Sequence, residues 1–176
     1  FSIDASDKHE ALFEEFTISD GVTLPIGGYD FRNFRVNYRL GASRRVPGSV
    51  YVSRGGFFSG ERTIVNVNGR VEVSPQLSFE PRVQVNWIDL PQGSFNTKLA
   101  STRVNYTLTT RLLVATLIQY NSNSDSISTN VRLRWEYQPG SDLFVVYSEG
   151  RETDHRGFPV MANRGFVVKF TKLLRM

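Results

Sequence analysis

From Thr129 to Tyr137 the side chains alternate without a lapse. Val131, Leu133, Trp135 and Tyr137 fall on one side of an extended chain, and Asn130, Arg132, Arg134 and Glu136 on the other. A two-residue period is the pattern of a β-strand with one apolar and one polar face, and no helix can use it. Thr63 to Val73 repeats it, with Val65, Val67, Val71 and Val73 opposed by Asn66, Asn68, Arg70 and Glu72. Leu77 to Trp87 sets Leu77, Phe79, Val83, Val85 and Trp87 against Ser78, Glu80, Arg82, Gln84 and Asn86. Further strands are read over 31–40, 49–57, 97–108, 111–121, 143–150 and 165–176, with a fainter one over 11–18. No stretch has a helical period. The chain is therefore expected to be all-β, an antiparallel up-and-down meander of about nine or ten strands, forming one domain over 1–176.

Two local features qualify individual strands. Asn68-Gly69 is a strong two-residue hairpin signal. Folding there would set Val67 opposite Arg70 and mix the faces, so a strand running straight through is preferred. Pro81 lacks an amide hydrogen and predicts a bulge or an edge within its strand.

At about 3.3 Å per residue an 11-residue strand spans roughly 36 Å, longer than the usual 5 or 6 residues of soluble sheets. It suits a tilted strand crossing a bilayer, which needs about 9 to 11 residues. Connections counted back from the C-terminus alternate in length. Those over 151–164, 122–128 and 88–96 are long, and those over 138–142, 109–110 and 74–76 are short. The compact 59–61 breaks the rule, and 42–48 follows as a further loop. Short turns at one end and longer loops at the other are the plan of an outer-membrane barrel. Trp87, Tyr106, Tyr120, Trp135, Tyr137, Phe166 and Phe170 are the expected membrane-facing aromatics, several near strand ends where an interfacial girdle would lie. Cross-strand packing in a sandwich would use the same residues.

The opposite face carries the candidate site. Arg35, Arg39, Arg70, Arg82, Arg103, Arg111, Arg132 and Arg134, interleaved with Glu72, Glu80 and Glu136, form the expected lumen-facing network. Of 21 basic residues only Lys8, Lys98, Lys169 and Lys172 are lysines, which leaves 17 Arg. Arginine suits fixed pairing with carboxylates, whereas a merely solvated surface more often uses Lys. In a membrane barrel this face points inward, and Arg132 is expected to pair with a lumen carboxylate. An open lumen of net positive charge would favour anions; a narrow one would be filled by ion pairs.

Composition removes other classes. A charged fraction of 22% with no long apolar run excludes a transmembrane helix, and a hydrophobic fraction of 40% excludes a disordered chain. There is no Cys, and the two histidines are His9 and His155, so thiol chemistry, a zinc ribbon and a His-rich metal site are not expected. The run Asn121 to Ser126 lacks the glycine and the final glutamate of a calcium loop. Loop acids Asp89, Asp125, Glu152 and Asp154 are read as surface groups rather than a catalytic pair. A net charge of +4 is mild, and Arg and aromatics fall largely on opposite faces, which argues against nucleic acid. Catalytic residues, metal and cofactor are all expected to be none. Phe1-Ser2-Ile3-Asp4 shows no targeting segment, so a mature product or C-terminal fragment is expected.

Several strings bring a family into view. Asn130-Val131-Arg132-Leu133-Arg134-Trp135 is followed by Gln138-Pro139-Gly140-Ser141-Asp142-Leu143-Phe144-Val145-Val146-Tyr147. With Val85 to Gly93, Gln119 to Ser122, Val167 to Arg175 and the upstream Phe13 to Pro25, these resemble the C-terminal β-barrel of large bacterial outer-membrane proteins of unknown function. Those proteins carry an N-terminal carbohydrate-binding family 9-like domain. The resemblance implies a Gram-negative outer-membrane location with a periplasmic C-terminus, and as partners the lipid bilayer and the barrel assembly machinery. It also implies upstream strands or other subunits that complete the barrel. Two departures stand out: the chain ends on Met176 where such barrels usually end on an aromatic, and Lys172 falls on the face of Phe166, Val168 and Phe170. A charge facing lipid is costly at the midplane and cheap near the interface, which places Lys172 at the periplasmic rim.

The expected role is a passive, non-enzymatic one: membrane anchor, narrow or anion-favouring porin-like passage, or subunit of a larger assembly. The alternative is a soluble up-and-down β-barrel holding a small apolar ligand, with the same strands turned inside out.

Overall fold

A computed structural model of the chain describes residues 1–41, 46–154 and 159–173. Its strands are β1 (Ser2–Leu12), β2 (Phe16–Ser19), β3 (Val22–Leu24), β4 (Gly27–Leu40), β5 (Gly48–Phe57), β6 (Gly60–Gly69), β7 (Val71–Ser74), β8 (Leu77–Leu90), β9 (Gly93–Thr109), β10 (Leu112–Asn121), β11 (Ser126–Gln138), β12 (Ser141–Glu152) and β13 (Val160–Phe170). No helix occurs among the described residues. The main sheet has the order β1-β4-β5-β6-β8-β9-β10-β11-β12-β13, with β7 paired to β8, and β2 and β3 make a separate two-stranded sheet. This is the antiparallel meander that the alternation predicts. Among the described residues the sheet is not closed, since β1 and β13 are the two ends of its order.

Differences from the sequence reading have local causes. β1 is not legible as a strand because Asp4, Asp7, Lys8 and Glu10 put charge on both of its faces. It nevertheless pairs along its whole length with β4, from Ser2 opposite Asn37 to Leu12 opposite Gly27. The faint strand over 11–18 resolves into the end of β1 and the short β2. The loop expected over 88–96 is instead the end of β8 and the start of β9, joined by a turn at Pro91-Gln92. There is no hairpin at Asn68-Gly69: β6 and β7 are separated by Arg70 alone, and both pair with β8. Pro81 lies just beyond the Val71 to Phe79 pairing, where the ladder between β7 and β8 stops. β8 itself runs on through Pro81 to Leu90 and pairs with β6 as well. β13 ends at Phe170, so Lys172 lies past the strand; His155 and Met176 lie outside the described residues.

The chain divides into two compact units, residues 1–68 with 83–99 and residues 69–82 with 100–176. In the first, β2 and β3 fold back as a hairpin whose Val22 and Leu24 pack against Ile88 and Leu90 near the end of β8. Leu12, Ile18, Phe57, Phe58 and Phe95 surround this cluster. A Cβ on Gly60 would lie 2.0 Å from the Asp89 carbonyl oxygen, so only glycine lets the start of β6 approach β8 this closely. In the second unit the turns 75–76, 110–111 and 139–140 share one end, and the longer connection 122–125, with the end of β12 at Glu152 and the start of β13 at Val160, lies at the other. There the expected sorting of loops holds. Gly140 follows Pro139 with φ 76°, the left-handed geometry that a side chain resists. Asp142 and Thr171 exchange backbone hydrogen bonds of 2.8 and 3.1 Å, which carries the β12–β13 pairing past the end of β13.

Leu24 is completely buried. Leu24→Ala is expected to cost about 2–5 kcal/mol through lost transfer energy and the cavity left behind. Denaturant titration of the refolded protein measures this, and a loss under about 0.5 kcal/mol would mean that the hairpin adds nothing to the fold.

Candidate functional site

Residues directly opposite one another in an antiparallel pair share a face. In the first unit Arg35 is opposite Ser53, Asn37 opposite Tyr51 and Arg39 opposite Ser49, so these six lie together. Phe34, Val36 and Tyr38 lie on the other face, with Val50 and Val52. The two faces differ sharply in burial, and in the sense opposite to a soluble sheet. Asn66 is 0% exposed and its neighbour Val67 45%. Asn33 and Ser53 are buried, while Phe34, Val36, Tyr38, Val52, Val83 and Trp87 stand exposed.

The buried face is tied by neutral groups. Asn68 donates to Ser49 Oγ at 2.9 Å and to Asn66 Oδ1 at 3.3 Å. Asn66 donates to Gln84 Oε1 at 3.3 Å, Gln84 to Asn86 Oδ1 at 3.2 Å, and Asn86 to Thr97 Oγ1 at 2.7 Å. Tyr51 reaches the same Gln84 oxygen at 3.4 Å. An amide that both donates and accepts can pass a chain of hydrogen bonds across four strands, which a guanidinium, having no acceptor, cannot do. Two arginines of this face lie over rings, Arg35 5.1 Å over Tyr51 and Arg62 4.2 Å over Phe57. Sequence reasoning placed Asn66, Asn68, Gln84 and Asn86 on this face but chose its arginines as the network, because charge stands out and amides do not. Arg62 was missed, and no signal in its sequence neighbourhood singles it out.

In the second unit charged pairs do appear. Arg70 contacts Glu72 at 3.1 Å and Glu80 at 3.5 Å, and Asn105 donates to the same Glu80 oxygen at 3.4 Å. Arg134 holds Asp142 at 3.1 Å and lies 5.7 Å over the Phe144 ring. Arg132 does not meet a carboxylate as expected. It donates to Asn130 Oδ1 at 2.8 Å, and Asn130 in turn donates to Ser148 Oγ at 2.7 Å. Glu136 is spent on the turn, accepting from the Gly140 amide at 3.1 Å. Arg111 belongs to the turn after β9, where its carbonyl accepts from the Glu136 amide at 2.8 Å. Arg82 lies in β8, and Arg103 in β9 lines a pocket with Arg132. This face is not wholly polar, since Leu113, Leu117 and Val146 lie in register with Arg134, Asn130 and Arg132.

The opposite face of the second unit gathers the aromatics. Trp135 is in register with Leu112 and Leu143, and Leu143 with Phe170; Tyr120 is opposite Ile127 and Phe166 opposite Tyr147. Tyr137 stacks on Phe170 at 5.2 Å and meets Trp135 edge-on at 6.2 Å. These three rings form a cluster at the short-turn end. Tyr106 is exposed as well, and in the first unit so is Trp87. Toward the other end the same face turns charged: Glu149 binds Tyr147 and Arg151, and Arg164 reaches it at 3.1 Å. The first unit's exposed face ends likewise, on Arg54 with Glu61 at 3.1 Å and Arg32 with Asp7 at 2.6 Å.

No group of His, Cys, Asp and Glu among the described residues has the arrangement of a metal site. No family model matches the chain, and neither does any curated protein. Among solved structures the chain is similar to one described as the NanC porin, at 15% identity and a TM-score of 0.46, over 97% of this chain and 93% of that one. At that identity and score the likeness adds nothing to the architecture already described.

Asn66→Leu is expected to destabilise the protein by about 1–3 kcal/mol, because it takes one hydrogen bond each from Gln84 and Asn68 on a buried face. Equilibrium unfolding of the variant checks this. An unchanged midpoint would mean that the amide chain is not what holds that face.

Proposed function

We propose that this chain is an outer-membrane β-barrel, or a section of one, whose strands cross the bilayer and whose role is passive. It would serve as an anchor, as a narrow or anion-favouring passage, or as a subunit of a larger assembly. The observation that carries the reading is the inverted burial. Strand residues that water would drive inward, such as Val52, Val67, Val83 and Trp87, are outside, and Asn66, Ser53 and Asn33 are covered. Leaving that much apolar surface in water is unfavourable by roughly 25 cal/mol per Å², and a hydrocarbon solvent removes the penalty.

Further features support it. β11 holds an apolar face from Ile127 to Tyr137, about 36 Å of strand that becomes a band near 25 Å tall when tilted. The ring cluster at one end and the charged groups at the other lie where interfaces would meet them. In this reading the amides of the first unit and the arginines of the second line or fill the lumen. Trp87, Tyr106, Tyr120, Trp135, Tyr137, Phe166 and Phe170 would face lipid. The bilayer and the barrel assembly machinery are the partners, and further strands or subunits would pair with β1 and β13. The C-terminus would be periplasmic, on the side of the short turns. The resemblance to outer-membrane barrels that follow a carbohydrate-binding family 9-like domain points the same way, with no enzymatic role.

The purified chain is expected to stay monodisperse only with detergent and to run faster unboiled than boiled on a denaturing gel. Detergent-free solubility with a cooperative melt would overturn the reading in favour of a soluble barrel. Val67→Arg sharpens the test, because a charge toward the midplane should cost about 2–4 kcal/mol in the membrane protein. In a soluble one the same exposed position should tolerate it within about 0.5 kcal/mol.

A further inference from the structure

Arg103 of β9 and Arg132 of β11 reach over the intervening β10 to line one pocket of about 210 Å³ with Asn105, Asn130 and Leu117. No carboxylate lines it. Two guanidinium groups lining one pocket make it positive unless something negative lies there with them. The usual protein answer, an Asp or Glu, is present at the other arginine contacts of this unit, where Arg70 meets Glu72 and Glu80 and Arg134 meets Asp142. It is missing here. Arg103 makes no ion pair among the described residues.

The hydrogen bonds set the remaining geometry. Arg132 spends its Nε on Asn130 Oδ1, which anchors the planar group and leaves its terminal nitrogens uncommitted. Asn130 is itself held by Ser148, and Asn105 is held by Glu80. The lining is therefore braced from behind. We propose that Arg103 and Arg132 form a binding subsite for a small oxyanion, a phosphate or an ion of that size. The guanidinium fork matches two oxygens of one such ion, and charge-assisted bonds of this kind are about twice as strong as neutral ones. The volume admits a small ion with some water.

The inference deepens the proposed passage, because its role in selecting solutes rests on that reading, whereas binding itself does not. The test is calorimetric titration of inorganic phosphate into the detergent-folded full chain, in a chloride buffer of fixed ionic strength. Saturable binding is expected. Arg103→Gln and Arg132→Gln should each weaken it roughly tenfold or more, and Lys172→Gln, which removes the same charge elsewhere, should not. Gel mobility before boiling verifies that each variant is folded. Should a Gln variant fail that check, Arg103→Lys and Arg132→Lys keep the charge and lose the fork, and a weaker but measurable loss is expected. Absent binding, or binding equally affected by Lys172→Gln, overturns the subsite while a detergent-dependent, heat-modifiable chain leaves the barrel standing. A detergent-free soluble chain that still binds phosphate through both arginines overturns the barrel and leaves the subsite.

Discussion

The constraint on which everything else rests is that successive residues of a strand point to opposite faces, so that each strand must commit one face to each environment. Backbone hydrogen bonding then transmits the choice sideways. Once Asn33, Arg35 and Asn37 of β4 lie on one face, the register with β5 obliges Gly55, Ser53 and Tyr51 to join them. A one-residue slip anywhere would exchange the faces of a whole strand. The register is kept, and in the first unit its outcome is that Phe34, Val36, Val52 and Val67 of the apolar face are exposed while Asn33, Ser53 and Asn66 of the polar face are buried. That single inversion gives the chain its proposed solvent and, with it, its proposed role.

The two units satisfy their polar faces by different chemistry. The first uses amides and hydroxyls, which donate and accept at once and so can be linked through four strands with no net charge to desolvate. The second uses arginines, which need an external acceptor for every nitrogen. Carboxylates supply it at Arg70 and Arg134, an amide supplies part of it at Arg132, and nothing within the pocket supplies it at Arg103. A polar face with surplus guanidinium groups differs from a neutral ladder in what it attracts. The first arrangement holds strands together; the second also leaves charge available to a solute. The apolar hairpin β2–β3 against Ile88 and Leu90 adds a third device, a small soluble-type core seated at one end of the first unit.

Legibility in the sequence followed the strength of the local signal. The strands around Val131, Val65 and Val83 were readable because alternation there is unbroken, and reading straight through Asn68-Gly69 succeeded because face consistency outweighs a turn signal. β1 was unreadable because polar groups such as Asp7 and His9 sit on what is otherwise its apolar face, and β4 supplies their partners Arg32 and Asp30 from far along the chain. Ile88 to Asn96 looked like a loop because Pro91, Gln92 and Gly93 are turn formers, yet the ladder runs up to Leu90 and resumes at Gly93. The faces of the candidate residues were visible, but their partners were not. Nothing near Arg132 in sequence says that Asn130 will take its Nε and that Ser148 will brace Asn130, since those contacts depend on register and on rotamer.

What the sequence by itself determined is the period, and through the period the all-β meander and the division of each strand into an apolar and a polar side. Those are properties of neighbouring residues and need no knowledge of the rest of the chain. Which side is covered, which amides join into a ladder and which arginines are left without a carboxylate were decided only by the tertiary structure. Each of these depends on pairing between strands distant in sequence, and a two-residue alternation reads the same whether its apolar face is turned inward or outward.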